Sequence, residues 1–225
     1  PGGLTELLRD LREAIVAGKL APEFLNEIRN AWLAIGSCAV SVRSSSNLED
    51  RLEFSFAGQH DSFLNVVTDE GMEESIKRCW ASLWTDRAMH YLLAIGVSLG
   101  HLRMSVLIQR MIFPDVSGVA FTHNPVTGDS DQVVISMSYG LGEATVSGEA
   151  NPDHVVLQRE PRSLISYTVG DKSVAVYADM QGGTKAVEVP VNLKNHPCLT
   201  TEKVLNITES ILRVEEEMGG SAQDV

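Results

Sequence analysis

A single arginine, Arg43, is followed at once by Ser44, Ser45 and Ser46, then by an acidic pair, Glu49 and Asp50, and by a glycine-centred run that holds Gly58 and Ser62. This mixture suits a phosphate. A guanidinium offers a rigid fork of donors matched to phosphate oxygens, and serine hydroxyls add short donors that lose little freedom on binding. The apolar run at residues 38–42 reads as a strand, so Arg43 is expected at its end, handing its side chain to the loop that follows. Read from the residues alone, the same stretch is equally a serine-rich surface turn, with Arg43 paired to Glu49 or Asp50.

Further along, residues 106–111 are apolar apart from Gln109 and Arg110 and read as a buried strand. An amide in an otherwise apolar strand supplies the donor and acceptor that an adenine edge requires, beside a surface that accepts a flat ring. The other reading is a glutamine at a sheet edge. Glu143 and Glu149 lie in a glycine-rich turn with Gly140, Gly142 and Gly148. Acids there suit magnesium or a cation of a phosphate site, although a purely structural turn is the simpler reading. His123, His154 and His196 share no metal-ligand spacing, and His60 reads as a solvated loop residue.

Elements must position these groups. Leu4, Leu7, Leu8, Leu11, Ala14 and Ile15 recur at helical spacing before Gly18, and Pro22 opens a second helix bearing Phe24, Leu25, Ile28 and Trp32. Two further helices are expected over residues 70–84 and 87–97, with Trp80 and Trp84 as core anchors rather than a base stack. From Met104 the period changes. Short β-branched runs at 105–112, 116–122, 132–137, 154–158, 164–169, 174–177 and 185–189, punctuated by Gly, Pro, Asp and Asn, predict an antiparallel sheet. Thr200 or Thr201 caps a last helix that ends before Gly219 and Gly220. The fold class is α+β, with a helical N-terminal part, a mainly antiparallel β-rich part and a C-terminal helix.

The chain has 225 residues, 44% of them hydrophobic and 21% charged, which suffices for a sizeable core. A net charge of -12 argues against a nucleic-acid surface and against an anionic membrane as partner. It leaves a phosphate site open, because that needs only a few placed cations and donors. Cys38, Cys79 and Cys198 are widely spaced and form no metal motif, which reads as reduced thiols. With no long apolar span and no signal-like start, a cytoplasmic location is expected.

Two blocks carry a family resemblance. Residues 42–65, VRSSSNLEDRLEFSFAGQHDSFLN, and residues 106–156, opening VLIQRM and including SGVAFTHNPVTG, GLGE, VSGE and NPD, resemble the ATP-grasp nucleotide-binding domain of phosphoenolpyruvate synthase, pyruvate phosphate dikinase and rifamycin phosphotransferase. The resemblance implies an ATP-grasp-like fold. Residues 1–103 would form a helical N-terminal lobe with the phosphate-binding loop at 42–65, and residues 104–225 a β-rich lobe of the same, incomplete, ATP-binding domain. It implies ATP and Mg2+ as ligands, with Arg43, Gly58 and Ser62 at the phosphates and Gln109 and the backbone of Met111 at the nucleotide. Ser62 stands where the family has threonine, and Asn47, Arg51, Leu52 and His60 also depart from its pattern.

The family's lysine in a KGxNLGEL segment and its metal-binding glutamate in a QD(I/V)EW motif have no counterpart in the chain. The resemblance therefore implies that the chain on its own is inactive and holds neither a catalytic residue nor a metal ligand. The phosphoryl group would pass to a histidine on a swivelling domain of the same polypeptide, and from there to pyruvate on an acceptor domain. The alternatives are a rifamycin phosphotransferase, a related ATP-dependent ligase, or a nucleotide-binding module without turnover.

Overall fold

The computed structural model describes residues 2–47, 61–96, 99–146, 148 and 151–225. The chain divides into two compact units, Pro1–Ile112 with Asp179–Gly183, and Phe113–Ala178 with Thr184–Val225.

The first unit contains helices α1 (Gly2–Ala17), α2 (Pro22–Ala34), α3 (Asp69–Ser82) and α4 (Asp86–Ala94), and strands β1 (Val40–Ser46), β2 (Ser62–Val66) and β3 (Met104–Arg110). Pro22 sits in the first turn of α2, where its fixed φ and missing N–H cost nothing. Threonines start the next two helices: Thr68 accepts from the Gly71 N–H and Thr85 from the Ala88 N–H, each satisfying a donor the first turn leaves open. The sheet order is β2-β1-β3, antiparallel throughout. Val40 and Val42 point inward without exposure and pack with Val66, Met72, Ile76 and Cys79, while Ile28 and Trp32 of α2 close the same cluster. A second cluster joins Leu8 of α1 to Leu83, Met89, Leu92 and Leu102. Trp84 packs against it, and Trp80 stacks on Phe24 with ring centroids 6.3 Å apart, so both indoles are core anchors.

Three local expectations change. Strand β1 does not end at Val42 but runs to Ser46, because β3 pairs with every residue from Val40 to Ser46. Arg43 is therefore in the middle of a strand, and pairing along the whole length overrides the turn preference of serine. The far end of the supposed loop is β2. Lastly, the apolar run at 106–111 is not a buried strand: Val106 and Ile108 turn to the core, while Leu107 is 52% exposed and Gln109 is exposed. The change of period at Met104 marks the entry into β3, which belongs to the first unit through its pairing with β1.

The second unit contains β4 (Val116–Phe121), β5 (Gln132–Tyr139), α5 (Glu143–Val146), β6 (Asp153–Gln158), β7 (Ser163–Thr168), β8 (Val174–Ala178), β9 (Thr184–Glu188), α6 (Val191–Lys194) and α7 (Thr201–Glu217). Strands β4-β5-β6-β7 form an antiparallel sheet in chain order, and β8 and β9 pair as a hairpin. Alternation sends Val133, Ile135 and Met137 of β5 and Val155 and Leu157 of β6 to one face, where Val204 and Ile211 of α7 cover them. Thr200 caps α7 by accepting from the Lys203 N–H. A helix-rich first part with β1 and β2 between its helices, antiparallel strands after it and a long C-terminal helix make the chain α+β, as expected. Among the described residues, no helix is long and apolar enough to cross a membrane.

Candidate functional site

The sheet of the first unit has one face on the core; on the other, Arg43, Ser45, Ser62, Ser105, Leu107 and Gln109 are exposed, while Ser41 is buried. In the register of β1 with its neighbours, Arg43 stands directly opposite Ser62 of β2 on one side and Leu107 of β3 on the other. Ser41 stands opposite Gln109, and Ser45 opposite Ser105. Residues opposite one another across an antiparallel pair share a face, and so do residues two apart along a strand. Arg43, Ser62 and Gln109 are therefore brought together on the exposed face, with Ser45, Ser105 and Leu107 beside them. The three serines after Arg43 are split by the same alternation: Ser45 joins Arg43, whereas Ser44 and the buried Ser46 turn away.

The remaining candidates fare differently. Met111 lies one residue past β3, is 8% exposed, and its N–H donates to the Ala39 carbonyl at 2.8 Å, so that donor is committed within the first unit. Gly58 lies outside the described residues, as do Glu49 and Asp50. Among the described residues, no carboxylate forms an ion pair with Arg43. The backbone carbonyl of Gln109 accepts from the Ser41 hydroxyl at 3.5 Å, which ties the two strands at that end. Beside the carbonyls of Val42 and Asp61, Cys79 is fully buried; loss of solvation, followed by the nearby Asp61 charge, pushes its thiol up to about 12. It is a packing residue, not a nucleophile.

Two features escaped the sequence reading. Asn65, at the end of the signature, adopts φ 57° and is buried; its amide donates to the carbonyls of Asp179 (2.7 Å) and Gly183 (2.8 Å). Asparagine's tolerance of left-handed backbone was the available signal. The other feature is Asp153, read only as part of a turn. Its carboxylate is fully buried and accepts from Lys172, from the N–H groups of Gly170 (2.9 Å) and Cys198 (2.7 Å), and from the Tyr167 hydroxyl (3.0 Å). Burial alone would raise the carboxyl, but the hydrogen bonds from Lys172, Cys198 and Gly170, with the charge of Lys172, outweigh it and hold Asp153 below its ordinary range. No sequence pattern links position 153 to position 172; only the fold does.

The glycine-rich turn is structural where it is described. Gly140, at φ 74°, donates its N–H to the Asp115 carbonyl and accepts from the Ser117 hydroxyl at 2.6 Å. A Cβ there would sit 2.2 Å from the Val176 carbonyl oxygen. The described histidines do not converge: His123 meets Glu215 at 3.2 Å and His154 meets Ser136 at 2.9 Å. Within the second unit, a cavity of about 300 Å³ between β4 and α7 is lined by groups such as Val116, Ile135, Met137 and Ile211 and, among the described residues, by no charged side chain, which does not suit a phosphate.

The exposed strand face thus carries one guanidinium, flanking hydroxyls and an amide at one end. The family model for the pyruvate phosphate dikinase AMP/ATP-binding domain matches residues 3–225. The chain belongs to this family. Its relatives include rifampicin phosphotransferases of Streptomyces sviceus, 39% identical over 95% of the chain, and of Bacillus cereus, 34% identical over 98%. A probable phosphoenolpyruvate synthase of Staphylothermus marinus is 34% identical over 96% of it. The domain spans 24% to 29% of the length of these three relatives.

Proposed function

We propose that the domain binds Mg-ATP on the exposed face of β2-β1-β3, with Arg43 and Ser62 at the phosphates and Gln109 at the nucleotide's base. The observation that carries this reading is the cross-strand register that sets Arg43 against Ser62 with Gln109 on the same face. The family's description as an AMP/ATP-binding domain supports it. Gly58, from the resemblance, would add backbone to the phosphate grip, and Met111 would offer its carbonyl rather than its N–H. The two units would be the two parts of one ATP-binding domain.

In the whole protein, we infer, one of the two outer phosphoryl groups of ATP passes to a histidine on a separate swivelling domain and then to pyruvate, while the other passes to water, leaving AMP and phosphate. The contribution of this domain is positioning and charge stabilisation: donors fixed on a strand face need no reorganisation as charge develops on the phosphoryl oxygens. Among the described residues, no three histidines, cysteines or acids converge to hold a metal, so magnesium would arrive with the nucleotide. When bound, it would neutralise phosphate charge.

A second reading takes rifampicin as the acceptor, supported by 39% identity to the Streptomyces sviceus phosphotransferase against 34% to the Staphylothermus marinus synthase. Incubating the whole protein with ATP labelled in its phosphates tests both. The expected result is an acid-labile, base-stable label on histidine that chases to pyruvate under the first reading and to rifampicin under the second. Arg43→Ala is expected to abolish the label with an unchanged circular dichroism spectrum. Full labelling of that variant would remove Arg43 from the phosphate site.

A further inference from the structure

The exposed face holds two hydroxyls that the reading above does not use. Ser45 and Ser105 stand directly opposite each other on β1 and β3, and both are exposed. They occupy the end of the face remote from Gln109. Arg43, opposite Leu107, lies between the two ends. The stretch of β3 from Ser105 to Gln109 spans about 13 Å at the rise of a strand, the order of length separating base from terminal phosphate in an extended nucleoside triphosphate. Leu107, 52% exposed, offers apolar surface midway.

The chemistry is graded along this line. Gln109 supplies an amide donor and acceptor, which suit a base. Arg43 is the one cation that β1, β2 and β3 carry on this face, and a guanidinium midway meets the first phosphates. Ser45 and Ser105 supply two neutral donors set across from each other, able to grip oxygens of one phosphate without adding charge. Neither hydroxyl serves the core.

We propose that Ser45 and Ser105 hold the terminal phosphate and make the face selective for nucleoside triphosphates over diphosphates. The nucleotide lies with its base toward Gln109 and its phosphate tail along β1 toward the serine pair. The inference rests on the nucleotide-binding reading of this face, and the test separates the two.

Affinities of adenylyl imidodiphosphate, ADP and AMP are measured by titration calorimetry on the whole protein, on the S45A/S105A double variant and on R43A. The double variant is expected to weaken the triphosphate analogue by about tenfold or more while ADP and AMP stay within about twofold. R43A is expected to weaken the triphosphate and ADP together. An unchanged ratio of triphosphate to diphosphate affinity in S45A/S105A overturns the role of the serines, even where R43A still weakens both. A parallel loss of AMP affinity in the double variant overturns it as well, since the serines would then lie at the base end. No binding to the unaltered protein, or full affinity in R43A, overturns the reading of the face and the inference with it. Both serines are exposed, so their truncation leaves the core intact, and an unchanged melting curve checks this.

Discussion

Arg43 and Asp153 show two ways a charged residue is used in this chain. Arg43 stands exposed on a strand face, and among the described residues no carboxylate pairs with it. Asp153 is sealed from solvent with Lys172, and the pair survives there because Gly170, Cys198 and Tyr167 fill the remaining acceptor positions. Asp153→Ala leaves the Lys172 ammonium buried without its counter-charge and is expected to cost about 3–5 kcal/mol, read from the urea unfolding midpoint. The pH dependence has a definite sign. The folded carboxyl titrates below its ordinary range, so the unfolded chain binds more protons between the two values and stability rises with pH there. The stabilisation is complete above the ordinary carboxylate range and is lost as pH falls through it toward the folded value. Asp153→Asn, which cannot titrate, is expected to flatten that part of the profile. The residue types at the candidate site were legible from sequence; the partnership of Asp153 with Lys172 was not, because nothing local connects them.

At the scale of elements, the helices were readable because their caps and apolar periods lie within a few residues of each other. Thr68, Thr85 and Thr200 each accept from a backbone N–H three positions on. Strand positions from Met104 onward were readable for the same reason. The extent of β1 was not, since three serines in a row carry a turn signal and only the partner strand contradicts it. The turn at Gly140 carries the element-scale prediction. Gly140→Ala forces a side chain into left-handed backbone, at φ 74°, and against the Val176 carbonyl 2.2 Å away. It is expected to cost at least about 1–3 kcal/mol and to loosen the bridge between Gly140 and Val176. A chemical-denaturation midpoint equal to that of the unaltered protein would contradict the structural role given to this turn.

At the scale of the whole molecule, the question is which part of the chain responds to the nucleotide. Ligand bound on the exposed face of β2-β1-β3 stabilises the paired state of those strands by mass action. With Mg-ATP at a hundredfold excess over its Kd, opening of β1 and β3 is expected to slow about a hundredfold, measured as hydrogen exchange of their amides in the whole protein. Unchanged exchange in both strands would mean that the nucleotide binds elsewhere. By itself, the sequence determined the α+β class, the order of most of the elements and the residue types suited to a phosphate, because propensity, capping and hydrogen-bonding capacity reside in short stretches. Only the tertiary structure decided which of those residues meet. Arg43, Ser62 and Gln109 share a face because of the register between strands far apart in the chain, and a slip of one residue in that register would turn any one of them to the core.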